Sequence, residues 1–511
     1  MYTSILSATL HGLEAIPVQV EVDVSSGLPG FSMVGNLSSQ VREAAERVRT
    51  ALHNTGISLP PSRITVNLSP GDVPKNGTGF DLPIAGGILS ILGKIPASNL
   101  KDVMITGEVG LDGKVRGVRG ILSMMTMAKD KNCHACIVPM ENMAEAMMMD
   151  DLKIVGVSCL EEFVETVRHK KWNETVERPM LPPMPDENCA DFSDICGQIS
   201  AKRAALLAAS GFHNLLLMGP PGSGKTMIAS RLPGLLPELT MEESMELTRI
   251  YSVAGMLPKE YPMIRHRPFR SPHHTISPQA LVGGGRIPEP GEITLAHRGV
   301  LFLDELPEMR RSVIDLLRQP LEEKQIMIAR MGGRYYFPSE FLLVAAMNPC
   351  PCGYYPDRNR CNCSEQEISR YMHRVSQPFL DRIDLCAETV ALTYSDFRKN
   401  KKNHEWTSAK MRQAAVAAHQ IQKERYKNEE FHFNGEIPTE KIGQYCIMET
   451  NAEKLLKQAF SRLGLTGRGY SRILKVARTA ADLDAKEVIE EEHMAEAIGY
   501  RGLDRNNNDV I

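Results

Sequence analysis

No stretch of this 511-residue chain approaches the roughly eighteen consecutive apolar residues that a membrane-spanning helix needs. The opening MYTSILSATLHG lacks both the basic start and the long apolar core of a secretory leader, so the expected compartment is the cytoplasm, with no membrane partner. An excess of either charge is also missing: 59 Lys and Arg against 62 Asp and Glu leave −3, with pI near 6.6. That excludes a molecule that attracts nucleic acid with its whole surface and leaves any such contact to local basic patches. No zinc-finger, helix-turn-helix or other base-reading motif is present, and no internal repeat. The eleven cysteines are sparse for this length and, in a reducing compartment, read mostly as small core residues rather than a disulfide framework.

What is present is a run with chemistry in it. Gly219-Pro220-Pro221-Gly222-Ser223-Gly224-Lys225-Thr226 follows the apolar, strand-like Asn214 to Met218 and has the make-up of a phosphate-binding loop. Gly219 and Gly224 let the backbone curl so that its N–H groups face a polyphosphate. Lys225 is placed to reach the β and γ phosphates of ATP, and the Thr226 hydroxyl to ligate Mg²⁺. Downstream, the apolar Gly299 to Leu303 reads as a buried parallel strand ending in two carboxylates. Asp304 would hold the Mg²⁺ through water and Glu305 would polarise the attacking water. A third apolar run, Phe341 to Met347, ends in Asn348, whose amide can orient that water. Three strand ends converging on one ligand is the pattern of open α/β sheets.

Around this core the chain divides by composition. Ile16 to Val24 alternate as a half-buried strand, and Val41, Ala45, Val48 and Leu52 share one face of a helix expected over Ser39 to Leu52. The expected units are a mixed α+β region over 1–168, a polar, Pro-rich linker over 169–190, a nucleotide module over 191–396, a helical region over 397–503 and a polar tail over 504–511. Cys350, Cys352, Cys361 and Cys363 form two CxC pairs around a Gly- and Pro-bearing loop. Four thiolates can complete a tetrahedral structural zinc site, the alternative being four reduced thiols. Ile326 to Phe337 reads as two short strands about a Gly332-Gly333 turn, flanked by Arg330 and Arg334. The adjacent His273 and His274 read as loop residues, because neighbours in sequence rarely face one ion.

These motifs, with RSPHHTIS, PGEITLAHRGVLFLDEL, AAMNPCPCGYY and PFLDRIDL in order, resemble the Mg-chelatase-like AAA+ ATPases, specifically the YifB/ComM family, over nearly the whole length. The resemblance implies an α/β fold: an AAA+ P-loop module with a helical lid, preceded by a Lon-protease-like α+β domain. It further implies a homo-hexameric ring with ATP between subunits, and a DNA motor for branch migration in homologous recombination and natural transformation. Arg382 in LDRIDL then matches the arginine finger, the alternative being an ion pair with Asp381 or Asp384 in its own subunit. Arg468 matches the lid arginine, with Arg472 its competitor one turn on. Related ring motors point the hairpin before the third strand into the pore, which makes Arg330 and Arg334 candidate DNA contacts. Kinship with the Mg-chelatase ATPase subunit keeps two rivals open: a metal-chelatase-type motor, and a nucleotide-gated scaffold that does not translocate.

The Lon-like resemblance rests on Pro74 to Gly79, Thr106 to Val109 and Gly113 to Gly120. It puts Gly79 where Lon carries its nucleophilic serine and Leu122 near the place of its catalytic lysine. Gly has no nucleophile and Leu no base, so no peptidase activity is expected. Lys75 and Ser123, both out of register, read as surface or capping residues.

Overall fold

The computed structural model describes residues 1–173, 190–258, 261–330, 333–392 and 406–501. Most of the expected linker, all of the expected tail and Gly332 lie outside these residues. In the N-terminal domain, strands β1 (Tyr2–His11), β2 (Glu14–Ser25), β3 (Gly30–Val34), β4 (Arg63–Ser69) and β5 (Val103–Ile105) share a sheet with β8 (Ala135–Pro139) and β9 (Ile154–Val157). A small ribbon of β6 (Glu108–Val109) and β7 (Val115–Arg116) stands apart, and the seven-stranded order is β3-β4-β2-β1-β5-β8-β9. Val18, Val20 and Val22 of β2 are fully buried at every second position, as the alternation predicts. A tight turn joins β1 to β2, with His11 opposite Glu14 and Gly12 at φ 64, where a residue with a Cβ would be strained.

β5 and β8 are apolar throughout because helices cover both faces. Val103, Ile105, Ala135 and Ile137 pack toward the helix Asp81–Ile91, while Met104, Cys136 and Val138 pack toward the helix Ile121–Asp130. The helix expected over Ser39 to Leu52 is two, Ser39–Arg42 and Ala44–Asn54, divided at Glu43. Gly79 sits in a closed place: its carbonyl accepts from Thr106 Oγ1 at 3.3 Å and from the Gly107 amide, and a Cβ there would stand 2.7 Å from Thr106 Oγ1. Leu122 is fully buried. Lys75 and Ser123 correct the expectation of surface positions, for both are buried. The Lys75 ammonium donates to the Pro70 carbonyl, and burial pushes its pKa below the usual lysine range. Ser123 Oγ donates to the Leu13 carbonyl at 2.7 Å. Each polar end finds a main-chain oxygen, which is what makes its burial tolerable.

The second domain is built on a five-stranded parallel sheet of β10 (Leu215–Met218), β11 (Phe269–Arg270), β14 (Val300–Leu303), β17 (Leu342–Met347) and β18 (Leu385–Glu388), in the order β11-β14-β17-β10-β18. Alternate residues again serve two cores. Leu215, Leu217, Phe302 and Val344 face the helix Ile199–Gly211, while Leu216, Leu303 and Leu343 face Val313, Ile314 and Phe379. β10, the first strand of this sheet along the chain, lies between β17 and β18; the chain passes from it to β11, returns through β14 and β17 and then crosses to β18 on its other side, and the crevice at the strand ends lies at that crossing. Two further hairpins, β12–β13 (Gly283–Gly284 with Glu289–Pro290) and β15–β16 (Gln325–Arg330 with Gly333–Pro338), project from this core.

Helices Ser408–Arg425, Thr450–Leu463, Gly467–Leu483 and Glu491–Gly499 form the lid. Its centre is Asp482, buried, which accepts from Arg425, from Arg478 Nη2 at 3.0 Å and from Asn434 Nδ2 at 2.8 Å. A buried carboxylate with this many donors is compensated rather than exposed to the full desolvation cost. No helix among the described residues is long and apolar enough to cross a membrane.

Gly87, inside the helix Asp81–Ile91, tests the packing of the first domain. An added Cβ would lie 2.4 Å from Val22 Cγ2 and 3.1 Å from Val22 Cβ. Alanine gains about 1 kcal/mol of helix propensity over glycine, while overpacking a filled core costs roughly 1–3 kcal/mol. Gly87→Ala is therefore expected to lower the denaturant midpoint, and a midpoint at or above that of the parent would show that this contact is not made.

Candidate active site

The phosphate loop leaves β10 at Met218 and enters the helix Lys225–Arg231. Its glycines do different jobs. Gly222 (φ 75) and Gly224 (φ 89) take the left-handed backbone that curls the loop. Gly219 is needed instead for close approach, since a Cβ there would meet Thr389 Oγ1 at 2.1 Å. Ser223 Oγ lies 2.7 Å from the same Thr389 hydroxyl, fastening the loop to the end of β18. The Lys225 ammonium donates to Gly219 O (2.7 Å), Pro220 O (2.9 Å) and Asn348 Oδ1 (3.2 Å). Burial lowers its pKa, with Asp304 opposing that shift.

Thr226 Oγ1 donates to Asp304 Oδ2 at 3.1 Å, so the two residues expected around Mg²⁺ already face each other, and their hard oxygens suit that ion. The other Asp304 oxygen accepts the Glu305 amide at 2.8 Å. Glu305 has φ 50, an uncommon conformation for a residue with a side chain and one that concentrates at functional sites. Its carboxylate lies 2.9 Å from His274 Nδ1. Lys225, Thr226, Asp304, Glu305 and Asn348 thus converge at the ends of β10, β14 and β17. His274 is the residue the sequence reading passed over. Its signal lies in the strand order: RSPHHTIS begins in β11, and β11 is the neighbour of β14.

The two arginines stand differently. Arg382 is buried and donates to the Pro378 carbonyl and to Glu322 in the helix Arg318–Glu323. The expected alternative partners are corrected. Asp384 takes the Asn214 amide at 2.9 Å and Arg472 Nε at 3.4 Å, and Asp381 accepts from Gln377 Nε2 at 3.1 Å. Arg382 Nε is buried with no hydrogen-bond partner, and Glu322 is 53% exposed, so the pair is neither saturated nor sealed from water. Asn214 fixes the backbone of this turn. Its Nδ2 donates to Arg382 O at 2.9 Å while its Oδ1 accepts the Leu343 amide at 3.1 Å. Arg468 is exposed in the first turn of Gly467–Leu483, whereas Arg472 is half-buried and donates to Ile383 O at 3.0 Å.

Directly after Asn348 comes the cysteine loop. The Sγ atoms of Cys350, Cys352, Cys361 and Cys363 all lie within 4.8 Å of one another, with Cys350 to Cys352 at 3.3 Å and Cys350 to Cys361 at 3.7 Å. Zinc–sulfur bonds of about 2.3 Å in a tetrahedron set sulfurs about 3.8 Å apart, so the donor set fits the ion. The thiols titrate unequally: the Tyr354 amide leads in pulling the Cys352 thiol down to about 6, while burial leads in pushing the Cys361 thiol up. The loop packs on the phosphate loop, since a Cβ on Gly353 would stand 2.6 Å from Pro221 Cδ. A cavity of ≈ 1250 Å³ opens between them, walled by Gly219, Pro220, Tyr354, Arg360 and Tyr500. Arg330 and Arg334 are both exposed on β15–β16. Arg330 Nε also donates to Gly285 O at 3.1 Å, tying this hairpin to β12–β13, whose turn exposes Arg286. The second hairpin was not foreseen, although its Gly283-Gly284-Gly285 run marks it.

Asn214→Ala would strand the Leu343 amide and the Arg382 carbonyl, each unpaired buried group costing about 1–3 kcal/mol. A fall in unfolding free energy of that order is expected while ATP affinity is retained, and unchanged stability would refute the bridge.

Residues 191–397 match the family described as magnesium chelatase, subunit ChlI, and residues 405–501 its C-terminal part. Residues 20–142 match the description subunit ChlI of Mg-chelatase. The chain is 42% identical over 511 residues to competence protein ComM of Haemophilus influenzae, covering 98% of this chain and 97% of that protein. It is 41% identical over 497 residues to the YifB protein of Salmonella typhimurium, covering 97% and 96%. Lon protease 2 of Bacillus subtilis is 28% identical over 149 residues, 28% of this chain and 26% of its own length. Full-length similarity and a phosphate loop, acidic strand end and Asn-terminated strand assembled on one parallel sheet lead to the same conclusion: the chain belongs to the ComM/YifB family of Mg-chelatase-like AAA+ ATPases.

Proposed function

We propose that this AAA+ ATPase couples hydrolysis of Mg-ATP to movement on DNA and drives branch migration in homologous recombination, including the integration of transforming DNA, in the cytoplasm. The observation that carries the hydrolytic half is the convergence of Lys225, Thr226, Asp304, Glu305 and Asn348 at three adjacent strand ends. Magnesium would supply charge neutralisation at the phosphates. Thr226 and Asp304 would hold it. Lys225 exchanges loop carbonyls for phosphate oxygens as the nucleotide seats, and the backbone N–H groups of the curled loop align on the same phosphates. Glu305 accepts hydrogen bonding from the attacking water and polarises it, and Asn348 orients that water. Arg382 completes the site of a neighbouring copy by leaving Glu322, which its unpaired Nε and half-exposed partner favour. A finger supplied from a second copy calls for a closed ring, for which we propose a hexamer. Arg468, exposed at the start of its helix, serves the nucleotide as the lid arginine.

The DNA half is supported by Arg286, Arg330 and Arg334 on two adjoining hairpins, where cations can track a phosphate backbone without reading bases. The name of the Haemophilus relative, a competence protein, supports the proposed role in natural transformation. The ChlI family matches favour a second reading, a metal-chelatase-type motor, which assays of porphyrin metallation with and without this protein would separate. We also assign one structural Zn²⁺ to Cys350, Cys352, Cys361 and Cys363, whose four ligands leave no open position for catalysis.

With a labelled four-way DNA junction and Mg-ATP, the protein is expected to convert junction to duplex products, and Glu305→Gln protein is expected to bind ATP without conversion. No conversion by assembled, ATP-hydrolysing protein would refute the DNA motor. Metal analysis of purified protein is expected to give one zinc per chain, and a content well below that rejects the zinc site.

A further inference from the structure

We propose that the Lon-like domain, which has no nucleophile at Gly79, acts as the mount for the two arginine-bearing hairpins of the ATPase core and makes ATP turnover responsive to what those hairpins touch. Only the identity of that touched ligand rests on the DNA reading above.

The mount has three attachment points. At the first, the β1–β2 turn reaches out of its own domain to the β15–β16 hairpin. The His11 ring stacks on Tyr335 with centroids 4.1 Å apart and planes 21° from parallel. Gly12 lies over the same surface, where its Cβ position would be 3.7 Å from Tyr335 Cδ1 and 3.8 Å from Phe337 Cζ. From the other side, a Cβ on Gly333 would stand 3.1 Å from His11 Nε2. Tyr335 and Phe337 are buried by this arrangement and by their own core. Leu13, next in the turn, packs into two apolar clusters of the ATPase core, and its carbonyl is held by Ser123 of the Lon-like domain.

At the second point, Arg119 pairs with Glu289 of β13 at 3.5 Å and lies across Gly255, whose Cβ position is 2.5 Å from Arg119 Nε. An exposed pair of this kind contributes little energy, but it places the second hairpin against the same domain. At the third, the helix Ile121–Asp130 packs on the helix Met241–Ala254. There the Gly120 amide donates to Ser252 O at 3.2 Å. Buried Glu145 accepts both the Leu122 amide, at 3.0 Å, and the Ser252 hydroxyl.

The stack at His11 also leads to the chemistry. Tyr335 is in β16, which ends at Pro338, and β17 begins at Leu342 and delivers Asn348 to Lys225 Nζ. A force on the hairpin therefore reaches the nucleotide lysine along one stretch of chain and a single hydrogen bond, and the Lon-like domain is the fixed point against which it acts. Sites far apart couple through contiguous packed elements of this kind when the elements have two arrangements, which a binding experiment can reveal.

The test uses the full chain as parent, His11→Ala, and His11→Phe, which restores a ring for Tyr335. Two quantities are read: hydrogen exchange of the amides in 325–330 and 333–337, and ATP turnover with and without the four-way DNA junction. Hairpin exchange in His11→Ala is expected to be at least about tenfold faster. Its turnover without DNA should stay within about twofold of the parent, its DNA-stimulated increment should be lost, and His11→Phe should restore both. Parent-like exchange in His11→Ala overturns the mount. Faster exchange with an intact DNA increment overturns the coupling. If DNA fails to stimulate the parent, the DNA reading falls instead, and the mount stands or falls on exchange alone.

Discussion

A single ammonium group organises the nucleotide domain. Lys225 Nζ is buried among three oxygens, two from its own loop and one from Asn348 at the end of a different strand. An ammonium removed from water must be met by acceptors, and here the acceptors come from elements that sequence alone places far apart. The loop has to curl to turn Gly219 O and Pro220 O inward, which requires positive φ at Gly222 and Gly224. β17 has to lie beside β10 for Asn348 to reach, which fixes the strand order. β14 then follows on the far side of β17 and brings Asp304 within hydrogen-bonding range of Thr226. The fold of this domain can be read as the set of constraints that puts oxygens around one charge.

Much of this was legible in the sequence because buried parallel strands are apolar throughout and stop abruptly at their functional residue. Met218, Leu303 and Met347 each end such a run, and the chemistry begins at the next position or in the loop that follows. Periodicity also exposed β2, whose valines alternate. What stayed hidden needed tertiary neighbours. His274 reaches Glu305 only because β11 is adjacent to β14, and no local pattern states that adjacency. Arg382 chooses Glu322, sixty positions upstream, over the two aspartates beside it, because Asp384 is already taken by Asn214 and Arg472. Lys75 and Ser123 looked like surface residues because polarity was visible and their main-chain acceptors were not. The Ser39 to Leu52 pattern survived in Val41, Val48 and Leu52, but Ala44 rather than Ala45 enters the core and the helix is not one.

In the Lon-like domain the two positions expected to lack a nucleophile and a base have little room around them. A serine at Gly79 would crowd Thr106, and Leu122 fills apolar space, so both positions are packed. Ser123, one residue along, binds the carbonyl of a turn that leaves the domain altogether. What the structure shows of this region is attachment to the ATPase core, in keeping with the rule that a fold constrains geometry while function resides in particular sites.

The lid raises a different matter. Asp482 gathers two guanidiniums and one amide from three separate segments at a single buried point. Bending the lid there would break several charge-assisted bonds at once, whereas rotating it as a unit would break none of them. The helices Ser408–Arg425 and Gly467–Leu483, with Asn434 between them, are therefore locked at one point, so that a displacement of any one of the three is shared by the other two.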